Sequence, residues 1–265
     1  CDLFTQDFGG VSHNSAEDLC ANPDVEWIYV ATPHQLHKDH VCLAAQHGKH
    51  VLVEKPMALS IAECKAMIAA CEQANTSLII GHSHSFNTPI LHARDLIESG
   101  IYGAARLITT INFTDFLYRP RRPEELDTSK GGGVIFSQAA HQVDIVRLLA
   151  GGKATSVYAR TGSWDSQRKT EGAYTALVDF ENGVVANITY NGYGFFDSDV
   201  LMNNIGELGK FKSAGSHQKT RQNLLSVDEK DEAHKKSERN YGGSSYKNVP
   251  HETPDGFQHF GPVIV

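Results

Sequence analysis

The chain has 265 residues and a formal net charge of −7, and this length is sufficient for two ordinary domains with buried cores. An acidic chain has no general basic field for phosphates, so we expect no nucleic-acid partner, and an anionic ligand would need a local cluster of cations. No apolar run approaches the roughly 20 residues that cross a bilayer, and the beginning of the chain lacks the zones of a signal peptide, so we expect no membrane partner.

The first hundred residues alternate short apolar runs with amphipathic stretches. Three apolar runs predict strands, at 27–32, 50–55 and 77–82. A helix is predicted from Gln35 to His47, and a second begins at Ser60, which forms an S-x-x-E capping box with Glu63. Short strands separated by helices predict βαβ units. We therefore predict an α/β domain at 1–100, with a partial Rossmann-like parallel sheet.

Each predicted strand ends in polar or conformationally special residues. These endings are Thr32-Pro33-His34, Glu54-Lys55-Pro56 and Gly81-His82-Ser83-His84. Ligands of open parallel sheets bind beyond the carboxyl ends of the strands, so we expect a crevice there. Lys55 would be a positioned cation or acid at its mouth, and the alternative is an ordinary solvated strand end.

The character of the sequence changes after Gly100. Alternating runs rich in Thr and aromatic residues predict strands at 105–116, 154–161, 173–180 and 184–191. The sequence Glu181-Asn182-Gly183 predicts a hairpin between the last two. We predict an α+β domain at 101–265, with a large, mainly antiparallel open sheet and one helix at 134–150. The polar residues 209–250 predict a solvated helix or a mobile excursion, and the closing HFGPVIV predicts a strand.

The helix at 134–150 carries a candidate general base. Ser137, His141 and Asp144 fall at i, i+4 and i+7, so they share one helical face. An imidazole titrates near neutral pH, and His141 is suited to moving a proton. The alternative is a core histidine that is hydrogen-bonded within its helix.

Three arginines cluster between prolines in YRPRRPEELD. Arg119, Arg121 and Arg122 are predicted to bind a carboxylated substrate, because guanidinium groups recognise carboxylates bidentately and prolines stiffen the loop. The alternative is a set of surface charges answered by the loop's own acids, Glu124, Glu125 and Asp127.

The histidines and cysteines follow no metal-ligand pattern. His34, His37 and His40 are spaced by three, and His82 and His84 are predicted to share a strand face. No thiolate or carboxylate joins them at a known spacing, so we expect no metal site. The five cysteines are an odd number without a CxxC pair, which favours reduced thiols and a cytoplasmic protein.

Two segments together resemble a known family. TPHQLHKDHVCLAAQHGKHVLVEKPMALS and GGGVIFSQAAHQVDIVRLL are similar to the EKP segment and the catalytic helix of the glucose-fructose oxidoreductase, inositol dehydrogenase and MocA family (Gfo/Idh/MocA). The resemblance spans about residues 5 to 210. It implies a dehydrogenase that uses NAD or NADP, with Lys55 between nicotinamide and substrate and His141 as acid/base. It also implies cofactor contacts along the strand ends, at Thr32, Pro33, His34, His37, Glu54 and Lys55.

The chain departs from the family pattern in two places. Where the family often has an aspartate one turn before its histidine, this chain has Ser137, so charge assistance to His141 would come from elsewhere or be absent. The family's first strand, its G-x-G-x-x-G turn and the acidic end of its second strand would precede residue 1. We therefore expect that this chain is truncated at both ends relative to the family.

Within the family, NFTDFLYRPRRPEELD followed by GGGVIFSQAAHQVD looks most like the phthalate 4,5-cis-dihydrodiol dehydrogenases of aromatic catabolism. That resemblance implies oxidation of a phthalate cis-dihydrodiol to 4,5-dihydroxyphthalate. The expected substrate-binding side chains are Arg119, Arg121, Arg122, Ser137 and Asp144. The alternatives are a family member acting on a sugar or inositol, and a binding protein without turnover. The open sheet of the second domain also predicts a homo-oligomer.

Overall fold

The structure is a computed structural model that describes residues 2–246 and 253–265. The chain forms two compact units, Cys1–Gly81 and His82–Val265. The sequence placed the domain boundary at 100, whereas helix α5 (Thr88–Glu98) groups with the second unit. Residues 247–250 of the predicted polar excursion lie outside the described residues.

The first unit is built around three parallel strands in the order β1-β2-β3. Its elements are α1 (Asp2–Phe8), α2 (Ala16–Ala21), β1 (Trp27–Val30), α3 (His37–Gln46), β2 (His50–Val53), α4 (Ile61–Gln73) and β3 (Leu78–Ile80). Val53 of β2 pairs with Val30 of β1 on one side and with Ile80 of β3 on the other. The predicted parallel sheet is therefore confirmed, and its three carboxyl ends lie along one edge.

The sequence explains how α4 begins and why the sheet is covered. The Ser60 hydroxyl accepts the Glu63 N–H over 3.2 Å, and the Glu63 carboxylate accepts the Leu59 N–H over 3.1 Å. These bonds satisfy backbone donors that a helix start leaves unpaired. Val51 of β2 and Met67 of α4 are both fully buried, because a central parallel strand is enclosed on both faces.

The second unit contains a mixed sheet in the order β5-β6-β7-β4-β8. Its elements are α5 (Thr88–Glu98), β4 (Leu107–Phe113), α6 (Ala140–Ala150), β5 (Ala154–Gly162), β6 (Ala173–Phe180), β7 (Val185–Asn191), α7 (Ser216–Leu225), α8 (Glu229–Ser237) and β8 (Val263–Ile264). Strands β4 and β7 are parallel and the other neighbours are antiparallel. The predicted hairpin joins β6 to β7, with Gly183 at a φ of +81° that favours glycine.

The two faces of this sheet differ. Ile108, Ala186 and Ile188 are buried on one face, in the same core as Ile145 and Leu149 of α6. The opposite face carries a row of cross-strand neighbours with side chains open to solvent or half-buried: Tyr158, Leu177, Asn187, Thr109 and Ile264. One face of the sheet therefore carries the core, and among the residues that the structure describes the other face has no covering layer.

The segment after β7 differs from its prediction. Residues 209–246 include α7 and α8, and Glu232 on α8 is only 4% exposed. Arg168 donates to both oxygens of the Glu232 carboxylate, over 2.9 and 2.8 Å. A buried, bidentate ion pair holds α8 to the unit, which the polar composition of the segment did not predict. Among the described residues, no helix is both long and apolar enough to cross a bilayer.

Candidate active site

The carboxyl ends of β1 and β2 place Glu54 and Lys55 at the edge of the parallel sheet. The Tyr29 hydroxyl and the Lys55 backbone N–H both donate to the Glu54 carboxylate, the latter over 3.1 Å. The hydrogen bond to Glu54, with burial and the carboxylate charge, raises the pKa of Tyr29 to about 12. Glu54 is thus held by two donors, and the half-buried Lys55 follows it directly.

His37 ties two strand-end loops together. Its ring is 1% exposed, with Nδ1 3.0 Å from the Pro56 carbonyl and Nε2 2.9 Å from the Thr32 carbonyl. Only a ring protonated on both nitrogens donates to both carbonyls. The sequence placed His37 along the cofactor. Because both nitrogens face backbone carbonyls, its geometry favours a role in positioning the EKP turn instead.

The remaining strand-end residues of the first unit are more accessible. Pro33 is exposed, and Thr32 and His34 are half-buried. The Thr32 hydroxyl lies 3.1 Å from Nδ1 of His40, which orients it at the start of α3. The ends of β1 and β2, with their polar, accessible side chains, fit the nicotinamide half of a dinucleotide, so the residues present agree with that cofactor.

In the second unit, His141 lies at the start of α6 and is 5% exposed. A π turn, Ile135–Ala139, precedes it, and such turns are frequent at functional sites. The His141 ring centroid is 4.5 Å from that of His84 and 4.9 Å from that of Phe260. A titratable ring is therefore enclosed by two others, which restricts its orientation.

The π turn changes the predicted helical face. Ser137 lies inside that turn, and its hydroxyl donates to the Gly133 carbonyl. The Asp144 carboxylate accepts from Arg147 over 3.0 Å. Since a π turn has more residues than an α turn, the i, i+4, i+7 spacing does not form one straight stripe. The straight α-helical face predicted for Ser137, His141 and Asp144 is therefore interrupted at Ser137, and their common role stays a prediction.

The arginine loop separates into three different environments. Arg121 has a side chain that is 10% exposed, donates to the Phe116 carbonyl over 2.7 Å and stacks 3.7 Å from the Phe116 ring centroid. Burial lowers the pKa of Arg121 to about 10, although the negative charge of neighbouring Glu125 opposes this shift. The Arg122 guanidinium is 3.3 Å from Glu124. For these two arginines the geometry favours the alternative, charges answered within the loop.

Arg119 differs from the other two. Its Nε donates to Asp115 over 2.8 Å, while 47% of its side chain is exposed. Burial is the largest influence on Asp115 and opposes its ionisation, but the charge of Arg119, hydrogen bonds from Thr220 and Arg119, and the charge of His217 together outweigh it, so the pKa of this carboxyl is below its usual range. Arg119 keeps accessible surface beside a fixed carboxylate.

A polar cavity of about 80 Å³ lies next to Arg119. It is lined by Asn112, Thr114, Arg119, Asp199, Glu207, Lys212, His217, His259 and Gly261. Lys212 lies 2.7 Å from both Asp197 and Asp199, and burial lowers the pKa of His217. The two cations are each paired with a carboxylate, and nearly half of the Arg119 side chain remains accessible.

A larger cavity, of about 970 Å³, lies beside α7 and α8. Among its lining residues, Arg168 is paired with Glu232, and Arg221 stacks 3.9 Å from the Tyr118 ring centroid. None of the predicted site residues lines it. Its charged groups are engaged in holding the fold, so we assign it no chemistry.

The histidine patterns have a different meaning in the structure. Strand β3 ends at Ile80, and His84 lies in a short 3-10 turn, Ser83–Phe86, so the predicted strand face shared with His82 is wrong. Within residues 2–246 and 253–265, no group of three or more His, Cys, Asp or Glu side chains is placed to hold a metal ion.

Sequence reasoning missed four side chains that shape these sites: Tyr29, His84, Glu207 and Phe260. In the sequence, Tyr29 looks like an ordinary strand residue. His84 stood out only in a polar strand ending and in a weak metal pattern. Glu207 and Phe260 carried no signal, because each comes close to its partners only in the folded chain.

Comparison with known proteins places these features in context. Residues 3–82 match the family model described as "Oxidoreductase family, NAD-binding Rossmann fold", and residues 90–212 match the GFO/IDH/MocA C-terminal domain. The chain is 49% identical to 1-carboxy-3-chloro-3,4-dihydroxycyclohexa-1,5-diene dehydrogenase of Comamonas testosteroni, over 99% of this chain and 66% of that enzyme. This chain thus spans slightly less than two thirds of that relative.

Two further similarities are weaker in sequence or shorter. Trans-1,2-dihydrobenzene-1,2-diol dehydrogenase of Xenopus laevis is 31% identical over 56% of this chain and 44% of its own length. A crystal structure of a Bordetella bronchiseptica RB50 protein designated a dehydrogenase superposes with a TM-score of 0.91 at 36% identity, covering 99% of this chain and 67% of that protein.

Proposed function

Because this chain belongs to the Gfo/Idh/MocA oxidoreductase family, we propose that it forms the greater part of a dehydrogenase for a carboxylated ring cis-dihydrodiol. The observation that carries this proposal is the buried His141 imidazole, enclosed by His84 and Phe260 on the helix that bears the family's acid/base. The high identity to a carboxylated cyclohexadiene-diol dehydrogenase supports the substrate class.

His141 acts on the proton of the reaction. The imidazole removes the proton from one ring hydroxyl, while hydride leaves the same carbon and a C=O bond forms there. Bound NAD or NADP supplies the hydride acceptor. The ketone product tautomerises to a catechol, and the gain of aromaticity makes the oxidation favourable.

Lys55 acts on the charge that develops on the oxygen. Its ammonium stabilises the oxyanion and positions the hydroxyl, and a cation fixed before the reaction needs little reorganisation. The two donors to Glu54 hold the residue that precedes Lys55. Thr32, Pro33, His34 and Glu54 lie along the cofactor in this proposal.

Arg119 is the proposed ligand for a ring carboxylate. It lines the polar cavity with nearly half of its side chain accessible, whereas neither Arg121 nor Arg122 lines that cavity. The specific substrate that we propose is phthalate 4,5-cis-dihydrodiol, which is oxidised to 4,5-dihydroxyphthalate. A guanidinium group forms charge-assisted hydrogen bonds with carboxylates, and this substrate carries two adjacent ones. A chlorinated carboxy-diol, like that named for the Comamonas enzyme, is the nearest competitor.

The test is a substrate panel on the full-length protein, with NADH or NADPH formation as the readout. The panel contains phthalate cis-dihydrodiol, a monocarboxylated dihydrodiol, unsubstituted benzene cis-dihydrodiol, myo-inositol and glucose. We expect kcat/KM for the carboxylated diols to exceed that for the uncharged diol by about tenfold or more, the value of one charge-assisted contact. Preferred turnover of inositol or glucose would contradict the substrate class. Nucleotide binding without turnover of any diol would favour a binding protein.

We also propose that the exposed sheet face of the second unit binds a second copy of this chain. Its row includes Tyr158, Leu177 and Ile264, which are 62%, 50% and 62% exposed. Exposed apolar side chains on three of the five strands suit an isologous contact. Leu177→Arg should lower the mass measured by analytical ultracentrifugation, and an unchanged mass would place the contact elsewhere.

The expected location of such an enzyme is the cytoplasm, where it would draw on the nicotinamide pool. Four cysteines among the described residues are free thiols, which suits a reducing compartment: Cys20, Cys42, Cys64 and Cys71.

A further inference from the structure

His141 has a neighbour that links it to a carboxylate. The rings of His84 and His141 meet almost at right angles, with planes 82° apart and centroids 4.5 Å apart. On its other side, Nε2 of His84 lies 3.0 Å from Oε1 of Glu207. His84 is 8% exposed and His141 is 5% exposed, so the two rings are largely shielded from water.

Hydrogen bonds determine which form of His84 is present. The Asn87 side-chain amide donates to Nδ1 of His84 over 3.1 Å, so Nδ1 accepts and Nε2–H donates to Glu207. The carboxylate of Glu207 thus lies on the far side of the His84 ring from His141. Its negative charge is therefore one ring away from His141.

The helix of His141 does not supply such a charge one turn earlier. Ser137 occupies that region and donates its hydroxyl to the Gly133 carbonyl. Asp144, on the following turn, accepts from Arg147. An imidazole that takes a proton in a buried site gains a positive charge, which a nearby negative charge stabilises.

We propose that His84 and Glu207 are positioning residues for His141. The His84 ring holds the orientation of the His141 imidazole, and Glu207 acts through His84 to stabilise the imidazolium that forms on proton transfer. This inference rests on the proposed role of His141 as acid/base. It assigns to a different part of the chain the task that a helix aspartate would perform.

Other charged and titratable groups moderate the effect. The Glu207 side chain is 35% exposed, and Arg119, Lys212, His217 and His259 line the same cavity. Phe260 packs against both rings and brings no charge. Solvent and the two cations weaken the field of Glu207, so a contribution of moderate size is expected.

Two variants of the full-length protein test the proposal. Glu207→Gln keeps the size and an acceptor but removes the charge, and His84→Phe keeps a ring beside His141 but removes the bond to Glu207. The first readout is the His141 titration midpoint from NMR of histidine-labelled protein, with the signal assigned by its loss in His141→Gln. Glu98→Gln is the matched control, because Glu98 is an exposed carboxylate of the same unit, 4.0 Å from Arg94.

Each variant should lower the His141 titration midpoint by about half a pH unit, which is the shift expected from a partly screened charge at this separation. The control should leave the midpoint unchanged. The low-pH limb of kcat/KM should move in the same direction, and kcat should fall roughly tenfold. A merely structural role would lower the melting temperature without moving either titration.

An unchanged His141 midpoint in either variant overturns the proposal, and if one variant does not fold, the other decides. The NMR result does not depend on turnover. It therefore separates failure of this inference from failure of the proposed activity. If the proposed role of His141 is wrong, the turnover rate of the His141→Gln variant will be unchanged.

Discussion

Arg119 donates to Asp115 over 2.8 Å and lines the polar cavity, with nearly half of its side chain accessible. Arg122 is almost as accessible, at 44%, but its guanidinium lies 3.3 Å from Glu124 and 3.5 Å from Glu125. Both arginines are therefore paired with acids, but only Arg119 lines the cavity. This difference makes the two residues a matched pair for testing substrate recognition.

Arg119→Ala is expected to raise KM for a carboxylated dihydrodiol by about 10- to 100-fold, the value of a charge-assisted contact. Arg122→Ala should leave KM within about twofold, as an exposed ion pair contributes little. Steady-state kinetics with carboxylated and uncharged diols measures both effects. Equal losses for the two diols in Arg119→Ala would exclude carboxylate recognition by this residue.

Lys55→Met should lower kcat by at least about 100-fold, because it removes a fixed cation from the developing oxyanion. Substrate binding, measured by calorimetry, should change much less. Lys38→Met is the control, since Lys38 is 41% exposed on α3 and lies 2.8 Å from Asp39. A kcat that is unaffected by Lys55→Met would remove this lysine from the chemistry.

Glu232→Ala should destabilise the protein by about 3–5 kcal/mol, because it leaves the buried Arg168 guanidinium uncompensated. Denaturant unfolding measures this change. Glu238→Ala on the same segment should cost less than about 1 kcal/mol, because Glu238 is one-third exposed and lies 3.5 Å from His234. If the two variants lose similar amounts of unfolding free energy, the burial of Glu232 does not determine its contribution to stability.

The stability of the folded protein should depend on pH through His217. Burial lowers the pKa of His217 below its ordinary value of 6.5, so the unfolded chain binds a proton that the folded protein resists. Above that ordinary pKa, His217 therefore does not change the free energy of unfolding. As pH falls below it toward the lower pKa of His217 in the folded state, the folded protein loses stability. His217→Gln should reduce the loss of melting temperature between about pH 7.5 and 5.5. If the melting temperature of the variant falls with pH as much as that of the parent protein over this range, His217 is not the cause of the loss.

The local pattern of the chain was sufficient to predict most elements. Strands β1, β2 and β3 coincide with short apolar runs, and α4 starts at its predicted Ser60 cap. The β6–β7 hairpin forms at the predicted Asn182-Gly183 turn. These features depend on residues a few positions apart, so periodicity and turn chemistry contain the necessary information.

The surroundings of the candidate site were decided by contacts between distant residues. His84 and Glu207 are 123 positions apart in the chain, and Arg168 and Glu232 are 64 apart. No local period records such a meeting, and composition alone made the segment around Glu232 look solvated. The sequence by itself determined most of the strands and helices, the family resemblance and the candidate groups for moving a proton. Only the tertiary structure decided which charges neutralise one another, because pairing depends on distance in space and burial rather than on order in the chain.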